Sequence, residues 1–327
     1  MRHETSAKPL RALVTGVAGF AGSHLAEFLI RDGFETHGVD VSERSLRAFA
    51  AALKRAKLAQ CDVRDRERLN RIVSEIAPDL VFHLAGVASV LECERNPTLA
   101  MEVNIIGSCN LLDAVRDNAP GVRTLVVSSS EVYGKVAPEH FPIAEDVPVK
   151  PANFYSVTKA SVEMLSMLYS EKYGMDIVIL RPFNHVGPRQ SPAFVCADFA
   201  AQIARIERGL APPQLRVGDL SVERDFTDVR DMVRGYAVAA RRARGGETYN
   251  LCSGRSVRIE DVLKTLLEYA EVPIEVQRDP DKFRTSEIPV VVGSAEKFRR
   301  TTGWSPEMPL ATTLHDTLDF WRGELAT

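Results

Sequence analysis

The turn Gly16-Val-Ala-Gly19-Phe-Ala-Gly22, set directly after the short run Leu10 to Thr15, constrains the possible folds more than any other stretch of this chain. Leu10 to Thr15 reads as a strand, and a helix follows the turn, with Leu25, Phe28 and Leu29 on one face and Gly33 as its stop. Glycines at this spacing let the backbone turn tightly and approach a pyrophosphate, whose charge then sits at the helix N-terminus. The spacing is GxxGxxG, not the better-known GxGxxG, and a glycine triplet alone makes only a tight turn. The strand before it and the helix after it give it meaning as a dinucleotide-binding element.

The rhythm continues. Glu35 to Val39 reads as a second strand ending at Asp40. A helix near 44–56, a strand near 57–60, a helix at 65–77 and a strand from Leu80 to Leu84 follow. A helix over 97–118, a strand from Thr124 to Ser128, a helix near 155–173 and a strand from Asp176 to Leu180 complete it. Strands alternating with helices predict an α/β fold, a Rossmann doubly wound parallel sheet covered on both faces. Arg181-Pro182 interrupts the pattern, and Pro182, Pro188, Pro192, Pro212 and Pro213 are too closely spaced for continuous sheet. The expected division is a nucleotide-binding domain over 10–182, with a return strand near 228–253 (Glu247 to Leu251). A smaller C-terminal substrate-binding lobe takes 183–227 and 254–327.

A formal net charge of −3 over 327 residues gives no electrostatic case for nucleic acid or an anionic membrane as partner. Cys61, Cys93, Cys109, Cys196 and Cys252 form no CxxC pair, which argues against a metal site and for free thiols. No run of 18 apolar residues exists, and the polar start, Met1 to Pro9, lacks a signal-peptide core, so the cytoplasm is the expected location.

Three groups of residues point to chemistry. Asp40, about 20 residues past the glycines, stands where an acid binds both ribose hydroxyls of NAD and repels the 2′-phosphate of NADP. Arg44 and Arg47 can soften that repulsion, so NAD(H) is favoured and NADP(H) stays open; the plainer alternative for Asp40 is a solvated loop acid. Tyr155 and Lys159 lie four apart on one helix face. A phenol titrates near ~10, so a neighbouring ammonium is expected to bring it toward neutrality as a proton-transfer group. Ser128-Ser129-Ser130-Glu131-Val132-Tyr133-Gly134 closes a buried strand at its C-terminal end, where ligands of open α/β sheets bind. Serines there are also ordinary turn formers.

Taken together, these motifs resemble the extended short-chain dehydrogenase/reductases. The likeness also runs through Cys61-Asp62-Val63, His83-Leu84-Ala85-Gly86, Asn104-x-x-Gly107 and Arg181-Pro182-Phe183-Asn184. By that resemblance Ser129, Tyr155 and Lys159 form the catalytic set, with Glu131 beside them as a candidate base. Gly16, Gly19, Phe20, Ala21, Gly22, Asp40, Asp62, Val63, Leu84, Ala85, Gly86, Asn104 and Pro182, with Tyr155 and Lys159, are implied to contact the cofactor. Asp62 and Val63 would lie near the adenine, and Ala85 and Gly86 beside the diphosphate.

The second half is similar to the GDP-4-keto-6-deoxy-mannose reductases. The likeness runs through Phe183 to Pro188, Gly218-Asp219, Arg224 to Val229, Tyr249 to Gly254 and Thr302 to Pro306. The GDP-mannose 4,6-dehydratases are their near relatives. Ser89, Asn184, Phe194, Val195, Val217, Arg224 and Arg284 are the implied substrate contacts, Arg224 and Arg284 at phosphates and Phe194-Val195 at the base. For either arginine a surface salt bridge is the plain alternative. The glycine loop lacks the Gly-Gln-Asp-Gly-Ser-Tyr run of the dehydratases.

The implied reaction is reduction of the C4 ketone of GDP-4-keto-6-deoxy-D-mannose. Its rivals are a redox-neutral 4,6-dehydratase or 4-epimerase with tightly bound NAD, and a non-catalytic nucleotide-sensing protein. The 155–173 helix carries Val162, Met164, Leu165, Met167 and Leu168, more apolar surface than one sheet face needs. By family resemblance a homodimer is expected, with burial in its own domain as the alternative.

Overall fold

The computed structural model describes residues 9–43, 46, 55–282 and 288–326. Most of the helix expected near 44–56, together with Arg44, Arg47 and Arg284, lies outside them.

In chain order the elements begin β1 (Arg11–Thr15), α1 (Phe20–Arg31), β2 (Glu35–Asp40), β3 (Lys57–Gln60), α2 (Arg66–Ile76) and β4 (Leu80–His83). Next come α3 (Val90–Arg95), α4 (Pro97–Met101), a π-helical turn (Glu102–Ile106), α5 (Gly107–Asn118), β5 (Arg123–Val127), α6 (Phe154–Tyr173) and β6 (Ile177–Pro182). The remainder is β7 (Asn184–Val186), α7 (Val195–Glu207), β8 (Gln214–Val217), β9 (Glu223–Asp228), α8 (Val229–Arg242), β10 (Thr248–Leu251), β11 (Ser256–Arg258), α9 (Ile259–Glu268), β12 (Glu275–Arg278), β13 (Val290–Val291), α10 (Glu296–Thr302) and α11 (Leu310–Glu324).

Seven strands form one sheet in the order β10-β6-β5-β4-β1-β2-β3, parallel from β3 through to β6. On its far edge Ile179 donates to the Glu247 carbonyl and Phe183 to that of Leu251, so β10 also runs parallel. Strand order reverses beside β1, whose carboxyl end feeds the glycine turn; this switch point is where open α/β sheets bind ligands. All four residues of β4 are buried, as a strand covered on both faces requires. Leu13, Val81, Val126, Leu111 and Ile179 belong to the core packed against this sheet.

Two segments depart from the expected boundaries. The helix anticipated over 97–118 is three consecutive pieces, with the wide π turn in the middle; such turns commonly mark functional sites. Where α5 begins, a Cβ on Gly107 would stand 2.5 Å from Val63 Cγ2, so any side chain there would displace the valine. Strand β6 also continues through Arg181 to Pro182, instead of stopping at Leu180. A proline at the last strand position forfeits only one donor, and Phe183 takes up the ladder again.

The chain divides into two compact units. The first holds the described residues up to Val132, with Pro151–Leu180 and Tyr236–Thr248. The second holds Tyr133–Lys150, Arg181–Gly235 and the described residues from Tyr249 onward. The segment 133–150, read from sequence as part of the first domain, therefore groups with the second. Its anchors are specific: the Tyr133 hydroxyl donates to Asn250 Oδ1 at 2.7 Å, Asn250 Nδ2 donates to the Ile143 carbonyl at 3.0 Å, and Glu145 accepts from the Asn250 backbone at 2.7 Å. The second unit has its own core, with Phe199, Ile203, Val217, Leu263 and Leu314 among its members.

Candidate active site

In the first unit the glycine turn, Asp40 and the Leu84-Ala85-Gly86 segment follow the carboxyl ends of β1, β2 and β4. Gly16 has a φ of 71°, and a Cβ there would stand 2.8 Å from the Ala85 backbone nitrogen; one on Gly22 would stand 2.1 Å from the Gly16 carbonyl oxygen. Only glycine fits either place. No side chain caps the start of α1 and its first turn carries no acid, leaving a positive helix end suited to an anion. At the end of β2 the Asp40 carboxylate accepts from the Ala18 N–H at 3.0 Å and from the Ser42 N–H at 3.2 Å. These features fit a nicotinamide dinucleotide: a cradle for the diphosphate and an acid for a ribose. Asp62 is held by Arg64, whose Nη2 stands 2.7 Å away and keeps the carboxyl below its usual range. Beside it, Val63 is buried.

Beneath Ala85 and Gly86 runs a buried polar chain that sequence reasoning missed. The Ala85 N–H donates to Thr15 Oγ1 at 3.2 Å, and Thr15 Oγ1 lies 2.7 Å from His83 Nδ1. His83 Nε2 lies 2.8 Å from Ser108 Oγ, which donates to the Asn104 carbonyl. Since the Ser108 proton is directed to Asn104, His83 donates from Nε2 and accepts at Nδ1. Burial, with a contribution from Lys159, pushes His83 down to about 3, so it is neutral. The available signal was a histidine inside an apolar strand, because a buried polar group demands partners. In the π turn, Asn104 Oδ1 accepts from the Val87 N–H at 2.7 Å, while Nδ2 donates to the Val87 carbonyl at 3.2 Å and to Thr158 Oγ1 at 2.9 Å. The loop after β4 is thereby tied to α6.

Helix α6 starts at a capping box between Asn153 and Ser156, which places Tyr155 within its first turn. Tyr155 is 8% exposed and packs with Cys93 and Ala100, and the Ser129 hydroxyl acts to lower its pKa. Ser129 Oγ also accepts from the Glu131 N–H at 3.2 Å, and a Glu131 oxygen lies 3.3 Å from Asn153 Nδ2. Lys159 Nζ donates to the Val127 carbonyl at 2.8 Å and stands 5.9 Å from the centre of the Tyr155 ring.

One expectation is overturned. The ammonium does not bring the phenol toward neutrality: burial pushes Tyr155 above its ordinary range, and the Ser129 hydroxyl opposes this only in part. Burial also brings Lys159 down to about 8. Both groups are removed from water, and desolvation penalises whichever form is charged.

In the second unit the implied substrate residues are less uniform. Asn184, half-buried, opens β7 opposite Phe226, and Phe194 is exposed just before α7. Val195 packs on the apolar core, and Val217 is wholly buried within it. Arg224 donates to the Glu223 carbonyl at 2.8 Å. Pro182 is buried at the end of β6. Ser89, in the first unit, caps α3 by accepting from the Glu92 N–H at 3.3 Å.

A glycine cradle, an acid ending β2 and a buried Ser–Tyr–Lys set define an extended short-chain dehydrogenase/reductase. Comparison with known proteins agrees. The family profile described as GDP-mannose 4,6 dehydratase matches residues 13–317. The chain is 34% identical to the GDP-6-deoxy-D-mannose reductase of Pseudomonas aeruginosa, covering 96% of this chain and 98% of that one. Among solved structures it is similar to RMD from Pseudomonas aeruginosa complexed with NADPH (34% identity, TM-score 0.85, 96% and 99% covered). It is equally similar to the UDP-glucose 4-epimerase of Thermus thermophilus in complex with NAD (34%, 0.85, 96% and 99%). The chain belongs to the GDP-mannose 4,6-dehydratase family, within the NAD(P)-dependent nucleotide-sugar enzymes.

Proposed function

We propose that this enzyme reduces the C4 ketone of a nucleotide-linked 4-keto-6-deoxy sugar, GDP-4-keto-6-deoxy-D-mannose giving GDP-6-deoxy-D-mannose. The observation that carries the reading is the Tyr155 phenol, buried and holding its proton firmly. A reductase needs a group that still has a proton to give. Similarity along the whole chain to a GDP-6-deoxy-D-mannose reductase supports the substrate.

When bound, a reduced nicotinamide would supply the hydride for C4. Tyr155 gives its proton to the oxygen on that carbon as negative charge develops there, so hydride and proton together complete the two-electron reduction. Ser129 holds the carbonyl oxygen in line, and Lys159 supplies positive charge beside the phenol and a donor to the cofactor ribose. Asn184 and Arg224 are the proposed diphosphate contacts. Asp40 favours NADH, with NADPH use open.

Purified protein mixed with GDP-4-keto-6-deoxy-mannose and NADH tests this. Stoichiometric loss of reduced-nicotinamide absorbance, abolished in Tyr155→Phe, is the expected result. No oxidation with either NADH or NADPH would move the reading to a redox-neutral dehydratase or epimerase. That second reading is favoured by Glu131, a carboxylate two residues from Ser129 and braced by Asn153. NAD retained through purification would favour it too.

A homodimer is part of the proposal. Met164 (62% exposed), Met167 and Leu168 on α6 lie open, as do Leu91, Met101 and Ile106, a set of side chains that a second copy would cover. The five free cysteines suit a cytoplasmic location. Among the described residues no helix is long and apolar enough to cross a membrane.

A further inference from the structure

Three ionisable side chains follow one another on α6: Tyr155, Lys159 and Glu163, each four residues after the last and so on one face of the helix. Their relative exposures are 8%, 8% and 2%. The first two belong to the site described above; the third has no part in it. An acid so fully removed from water is costly to keep unless it answers a charge or is well hydrogen-bonded.

Lys159 has the complementary difficulty. Its ammonium is buried against the Val127 carbonyl, and burial drives an ammonium to shed its proton. The ionisable groups around it are Tyr155 and Glu163 from its own helix, Cys93 from α3 and His83 from β4. Burial keeps the Tyr155 phenol and the Cys93 thiol protonated and His83 neutral. Among these neighbours, Glu163 is the carboxylate.

We propose that Glu163 is a positioning residue whose buried carboxylate keeps Lys159 charged and thereby sets the upper pH limit of proton transfer at Tyr155. The link to turnover rests on the reductase reading; the charge pairing does not. Burial lowers Lys159 to about 8, and Glu163 is the strongest influence in the opposite direction. Without it the amine would lose its proton at a lower pH, and much of the positive charge beside the phenol would be lost by neutrality.

The test is thermal unfolding between pH 6.5 and 10 of the natural protein, Glu163→Gln, Lys159→Met and the double variant, which needs neither substrate nor cofactor. Glu163→Gln is expected to lower Tm by several degrees at pH 7. The deficit should shrink above pH 8, where the amine is neutral in both proteins and no charge is left to answer. In the Lys159→Met background the same change should cost nothing or raise Tm. An equal deficit at every pH and in both backgrounds is the signature of packing alone and overturns the proposal. Should Glu163→Gln fail to fold, the double variant still decides, since with neither charge present it must fold.

With substrate, the alkaline limb of the Glu163→Gln rate profile should move down by about one pH unit, a roughly fivefold loss at pH 8 that approaches tenfold at pH 9, with little at pH 6. Glu163→Asp should restore part of it. A limb that stays in place, beside a Tm cycle that behaves as expected, refutes the pH limit while the pairing stands.

Discussion

The Asp40 carboxylate accepts a 3.0 Å hydrogen bond from the backbone N–H of Ala18, inside the glycine turn. The acid that ends β2 is thereby fixed to the loop that follows β1, and the Ser42 N–H holds its other oxygen. A carboxylate braced from two sides cannot swing away from a 2′-phosphate. NADH is therefore expected to bind at least tenfold tighter than NADPH, measured by titration of nicotinamide fluorescence. Asp40→Ala should weaken NADH binding and narrow the gap. Equal affinities in the natural protein would refute this account of Asp40.

Glycines in this chain differ in what they permit. Gly22→Ala forces a Cβ to 2.1 Å from the Gly16 carbonyl oxygen, part of the backbone, so the cradle must open or the chain misfold. Loss of cofactor binding is expected. Gly323, in the last turn of α11, has nothing within 4 Å of an added Cβ. Gly323→Ala should be neutral or stabilise by up to ~1 kcal/mol, because alanine loses less backbone entropy in a helix. Melting curves of the two variants provide the comparison, and a Gly22→Ala protein that binds NADH normally would contradict it.

Tyr155→Phe removes the proton but leaves the ring, and should lower turnover by about 10²–10⁴-fold with the fold intact. Ser129→Ala should fall less far. Glu131→Gln separates the two readings of the site: a reductase should keep most of its rate, whereas a redox-neutral enzyme that needs a carboxylate base should lose nearly all of it. Steady-state kinetics on these three proteins, each checked by circular dichroism, gives the answer.

Acid stability carries the mark of His83. In the folded protein its value is about 3, well below the ordinary 6.5, so between these two values the unfolded chain takes up a proton that the folded chain refuses. Stability should therefore fall as pH drops through 6.5, with His83 alone contributing a slope of up to about 1.4 kcal/mol per pH unit. A His83→Gln variant should be less stable at pH 7 but show a flatter decline toward pH 4. Parallel Tm-versus-pH curves for the two would rule the contribution out.

What was legible in the sequence is what short spacing encodes. The glycine turn, Asp40 and the Tyr155–Lys159 pair are positions along one strand–turn–helix or one helical face, so the order of residues places them. Glu163 was readable by the same rule, one helical turn beyond Lys159, but nothing in the spacing says that the face there is buried. Ser129 and Tyr155 lie on different segments, and sequence brought them together only through resemblance. The hydrogen-bonded chain from Thr15 through His83 to Ser108 spans β1, β4 and α5, and no local pattern announces it. The direction of the Tyr155 shift went the other way from expectation for the same reason. Spacing puts an ammonium near the phenol, but burial decides which form is favoured, and burial is a property of everything packed around it.

By itself, then, the sequence determined the alternation of strands and helices in the first half, the parallel sheet, the glycine turn and the placing of Tyr155 and Lys159 on one helical face, because each follows from periodicity or from a glycine that nothing else can replace. Only the tertiary structure decided that segment 133–150 belongs with the second unit, that Val217 is core, and that burial shifts the phenol, the lysine and His83 each toward the neutral form. The physical reason is desolvation: a side chain's charge depends on how much water the assembled chain leaves around it, and that is known only once distant segments have packed.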